Sequence, residues 1–120
     1  MKLLGSGFTT AETTFAGTTS GSSLYGASRS LVVRKVVVMS GGSTVAANSS
    51  GLVNVVFGMS GGAPESTLTF PTPKFADASS GGSAAPAQWE VDGLAIKCGW
   101  FEARTNEANN GGVSVFVLGD

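Results

Sequence analysis

Glu90 and Asp92 stand two residues apart, a spacing that on a strand sends both carboxylates to one face, where they would hold a hard cation. Asn106, Glu107, Asn109 and Asn110 gather more oxygen donors in a second short stretch. Neither group has the ligand spacing of a calcium loop, and both read as solvated strand-end and turn residues. Cys98 is the single cysteine, so no intrachain disulfide is possible. A nucleophilic thiolate needs a histidine or another activating neighbour, and the chain contains no histidine. Cys98 lies in the apolar segment 94–98 and reads as a small buried hydrophobe. Without histidine, the hydrolytic triads and most transition-metal sites fall away. The glycine pairs at 41–42, 61–62 and 81–82 match neither phosphate-binding fingerprint. The residues therefore predict no enzyme, no cofactor and no metal.

Aromatic side chains offer a different chemistry, the stacking of sugar rings, for which Trp89, Trp100, Phe101 and Tyr25 are the available groups. Trp100 and Phe101 are adjacent, so on a strand they point to opposite faces. One of them enters a core; the other packs beneath a loop or anchors an interface.

These residues need a frame, and 120 residues make room for one domain. Hydrophobic residues make up 42% of the chain, enough for a core. Charged residues make up 12%, against a usual share of about 25%. So little charge predicts a surface that meets other protein. Seven basic and eight acidic residues are scattered along the chain, with no basic run longer than Arg34-Lys35, giving a net charge of −1. Nucleic-acid binding therefore has no basic patch to rest on. No apolar run approaches the roughly 18 residues of a membrane-spanning helix. The opening apolar run is too short for the core of a signal peptide, which predicts synthesis in the cytoplasm without a secretion signal.

Residues 1–27 are rich in Gly, Ser and Thr, with Leu3, Leu4, Phe8, Phe15, Leu24 and Tyr25 as apolar anchors. They read as an extended arm, ordered mainly by neighbouring molecules, with a short strand over 9–15. Residues 28–120 read as the folded domain. The run 31–39 is almost wholly β-branched, too continuous for a strand with one face in water, and is expected to be covered on both sides or to lie at an interface. Further strands are predicted over 52–57, 66–70, 89–91, 94–98, 100–103 and 113–118, with loops over 76–87 and 105–112. Glycine pairs recurring every 20 residues mark turns of hairpin size. No window shows helical periodicity. The expected fold is all-β, an antiparallel two-sheet sandwich with an extended N-terminal arm. The missing Cys…Trp…Cys signature turns the choice from an Ig-like domain towards a jelly roll.

Trp89-x-Val91-x-Gly93-Leu94-x-Ile96, Gly99-Trp100-Phe101 and Gly112-Val113-x-Val115-x-Val117 together resemble the closing strands of small virion proteins from tailed phages. In size and style, residues 28–119 are similar to jelly-roll capsid decoration (cement) proteins. That resemblance implies a non-enzymatic virion component, made in the host cytoplasm, which stabilises a capsid as a homotrimer seated on the major capsid protein. It implies no nucleic-acid or membrane partner. The contacts are expected from Phe8, Phe15, Leu24 and Tyr25 on the arm, from Leu31, Val33, Val36 and Val38 on the long strand, and from Trp100. Deleting residues 1–20 is expected to weaken attachment and leave the sandwich folded. A tail, neck or fibre component and a carbohydrate-binding module are the alternatives.

Overall fold

A computed structural model of the chain describes residues 1–9, 14–17, 30–40, 52–59, 62–71, 88–105 and 113–120. Among them the regular structure is strand alone: β1 (Lys2–Thr9), β2 (Thr14–Gly17), β3 (Leu31–Ser40), β4 (Leu52–Gly58), β5 (Pro64–Pro71), β6 (Gln88–Val91), β7 (Ile96–Cys98), β8 (Trp100–Thr105) and β9 (Val113–Gly119). They form two sheets. The first has the order β1-β9-β3-β6, with β7 also pairing β3; the second has the order β2-β8-β4-β5. Every ladder is antiparallel. The pairings nest: β1 with β9, β2 with β8, β3 with β6 and β7, β4 with β5. The path is that of one long ribbon, doubled back at β4 and β5 and wrapped so that β1 to β4 fall alternately in the first and second sheets.

The two inner faces meet in a valine-rich core. Val33, Val36, Val38, Val113, Val115 and Val117 come from the first sheet, and Val53, Val55, Phe57, Phe101 and Ala103 from the second. Each fully buried side chain of this size contributes about 1.5–3 kcal/mol relative to exposure. The chain passes from the first sheet to the second at Cys98–Gly99–Trp100, where the Gly99 amide donates 2.7 Å to the Gly58 carbonyl. On the far side, Trp89 Nε1 donates 2.8 Å to the Pro71 carbonyl and clasps β6 to β5.

The run 31–39 departs from the expectation of cover on both sides. Its buried residues are Leu31 and Val33, then Val36 and Val38, while the residues between them are partly exposed. The ladder to β9 shifts register between Val33 and Lys35, so Arg34 is an extra residue and the buried face changes from odd to even positions. The bulge is held in place: the Arg34 carbonyl accepts from the Leu94 amide at 3.0 Å, and Arg34 Nε donates 3.2 Å to Asp120 Oδ2. Opposite it, the neighbouring edge breaks into β6 and β7 at Asp92–Gly93, where Gly93 takes φ 72°, a conformation that costs glycine little.

The N-terminal stretch also departs from expectation, because residues 2–9 and 14–17 are strands of the two sheets. β1 pairs β9 from Lys2 opposite Gly119 to Thr9 opposite Val113, and β2 pairs β8. Gly5, Ser6 and Gly7 have little strand propensity of their own; the ladder with β9 supplies it. Leu24 and Tyr25, the loop 76–87, the loop 106–112 and the glycine pairs at 41–42 and 81–82 lie outside the described residues.

Candidate functional site

The outward face of the first sheet is apolar where a solvated face should be polar. Along β9, Val113, Val115 and Val117 point into the core, while Ser114, Phe116 and Leu118 are only partly covered. Register places their neighbours. Phe116 lies between Ser6 and Val37, Leu118 between Leu3 and Lys35, and Ser114 between Phe8 and Met39. Leu3, Phe8, Phe116, Leu118, Val37 and Met39 thus form one block across three adjacent strands. Leu3 and Phe8 are 52% and 57% exposed, so this block is open at its β1 side.

Charge borders the block along β3, β6 and β7. Lys35 Nζ lies 2.7 Å from Glu90 Oε1, and that hydrogen bond raises the lysine above its ordinary range. Glu90 also accepts from Gln88 Nε2 at 3.1 Å, and Asp92 Oδ1 accepts from the Gly93 amide at 2.7 Å. The two carboxylates considered as a cation pair are therefore engaged separately. Among the described residues no group of three or more His, Cys, Asp or Glu side chains gathers to hold a metal ion.

The second sheet has the opposite character. Val56, Glu102 and Trp100 occupy its outward positions yet are 3%, 2% and 0% exposed. Trp100 packs against Gly58, where a Cβ would stand 2.4 Å from its ring, and Nε1 donates 3.2 Å to the Gly62 carbonyl. Glu102 is paired with Arg104, whose Nε donates 2.9 Å to Oε1. Beside them, Thr69 Oγ1 donates 2.8 Å to Asn54 Oδ1. The outward positions of β4 and β8 at Val56, Trp100 and Glu102 are thus covered, while β5 beside them is largely exposed and polar.

The expected contact residues divide accordingly. Phe8 belongs to the open block. Leu31, Val33, Val36 and Val38 are core, and Trp100 is buried within the chain. Their apolar character reflects internal packing, which the bulge at Arg34 divides between two registers. Phe15 lies on β2 opposite Ala103, with its side chain outside the described residues, as are Leu24 and Tyr25. Sequence reasoning marked Leu3 only as an apolar anchor of the arm and Val37 and Met39 only as part of the run 31–39, and passed over Phe116 and Leu118. The signal was present in residues 113–118, where both alternating faces are apolar except at Ser114.

No protein-family model matches this chain, and no curated protein matches it. The geometry of the outward face carries the functional argument.

Proposed function

We propose that this protein is a non-enzymatic structural component of a phage virion, which decorates and stabilises the capsid by seating the outward face of β1, β9 and β3 on the major capsid protein. The observation that carries the reading is the apolar block on that face, set in a chain with few charges and no histidine. A contiguous exposed apolar patch on a small domain marks a docking surface. The nested order of the strands supports the finer fold that this reading assumes: β6 and β7 count as one interrupted strand, and the wrapped ribbon is then a jelly roll. Attachment of this kind draws on about 25 cal/mol per Å² of apolar area, reduced by the cost of association and restored by many simultaneous contacts.

Co-sedimentation of the purified chain with undecorated capsid shells tests the proposal. Phe116→Lys places a charge at the centre of the block without touching the core, and is expected to abolish binding while circular dichroism stays unchanged. A folded Phe116→Lys variant that binds shells as the parent does would overturn the reading.

A further inference from the structure

We infer that Lys35 is a register lock: its charge, and not the valines beside it, decides that β3 turns Val36 and Val38 to the core and Val37 and Met39 to the outside. The first half of β3 is anchored independently of it. Leu31, Val32 and Val33 pair β7, and Val33 stands opposite Gly119. The Val32 amide donates 3.1 Å to the Asp120 carbonyl, and the Asp120 amide donates 2.9 Å to the Val32 carbonyl. A Cβ on Gly119 would stand 2.0 Å from the Val32 carbonyl oxygen, so no other residue of β9 can slide into that place. Only the half after Arg34 has a choice of face.

Apolar content does not make that choice. Residues 36–39 are Val, Val, Val and Met, so either alternate pair can line a core. A regular ladder continued from Val33 opposite Gly119 sets Lys35 opposite Val117, Val37 opposite Val115 and Met39 opposite Val113. Those three partners are core residues, and residues directly opposite share a face. The regular ladder therefore carries the Lys35 ammonium in among valines, where an unpaired charge is costly. The observed ladder inserts Arg34 as an extra residue and sets Lys35 opposite Leu118 on the outward face. There Lys35 Nζ lies 2.7 Å from Glu90 Oε1. A bulge interrupts a ladder and persists where the regular alternative costs more; the lysine supplies the difference. The consequence for attachment rests on the reading above, since the lock keeps Val37 and Met39 in the apolar block.

NMR of the isotope-labelled full chain, 12.0 kDa, reads the register from cross-strand proton contacts. The parent is expected to show one set of resonances over 35–39 and 113–117, with Val36 opposite Val117. Lys35→Val, which lets position 35 enter the core, is expected to show a second set, with Val36 opposite Phe116, in at least about a tenth of the molecules. Lys35→Arg keeps the charge and is expected to keep the single register. Glu90→Gln is expected to keep it as well, because the lock is the cost of burying the ammonium and not the ion pair. A Lys35→Val chain that folds only in the parent register would overturn the inference. So would one that does not fold, since both registers bury apolar residues alone. A second register in Lys35→Arg or Glu90→Gln would overturn it too. A single register in Lys35→Val, with shell binding by the parent intact, sinks the lock and leaves the attachment reading. A second register in Lys35→Val, with no shell binding by the parent, sinks the attachment reading and leaves the lock.

Discussion

Cys98 ends β7 where the chain leaves the first sheet, and its side chain is fully buried. Burial disfavours the thiolate and pushes the thiol from its ordinary 9.0 up to about 11. The folded state thus holds this proton more tightly than the unfolded chain. Its contribution is complete below about pH 9 and is lost as pH rises towards about 11, a loss of about 2–3 kcal/mol. Denaturation midpoints measured across that window should fall for the parent and fall much less for Cys98→Ala, a comparison that removes the parallel effect of Lys35. Equal slopes would show that burial does not govern this thiol. Iodoacetamide at neutral pH should label Cys98 only after unfolding. This much was legible from one apolar segment without histidine. So was the opposition of Trp100 and Phe101: Phe101 entered the core and Trp100 packed against Gly58 under the Gly62 carbonyl.

At the scale of elements, β3 shows what a residue-type pattern reveals and what it hides. Its valines announce a strand, and the strand is there over Leu31–Ser40. They do not announce the bulge at Arg34, because a shift of one residue leaves composition unchanged and depends on pairing with β9. Val36 and Val37 are neighbours of identical chemistry on opposite faces. Val36→Ala should cost about 2 kcal/mol in urea unfolding, from lost burial and the cavity left behind. Val37→Ala should cost less than half of that and should weaken attachment to shells. Equal costs would mean that both faces are packed. β1 was hidden for a related reason. Gly5, Ser6 and Gly7 look like linker, and only the partner strand, which follows much later in the sequence, makes them a ladder. The apolar block inherited that obscurity, since its residues belong to three strands that register alone brings together.

For the whole molecule, the strands at the start of the chain are part of both sheets. Removing residues 1–20 takes an edge strand from each sheet, β1 from the first and β2 from the second, and uncovers β9 and β8. The truncated chain should therefore unfold at a temperature lower by roughly 10 °C or more, or lose its cooperative transition, in calorimetry. An unchanged transition would restore the arm that the composition of 1–27 suggests. The all-β class and most strand positions were legible in the sequence, because β-branched runs and glycine turns are local signals. The order of strands within the sheets was not, because it joins segments from opposite ends of the chain. That order has a consequence for synthesis. β9 lies between β1 and β3, so the middle of the first sheet is made after the strands that flank it. At roughly 5–20 residues per second, a nascent β1 waits about 5–20 s for its neighbour to emerge from the ribosome. Through that interval β3 has no β9 beside it, and its valines have no sheet to close over. Completion of the first sheet thus waits on long-range pairing of high contact order, and is slow beside a helical domain of equal size.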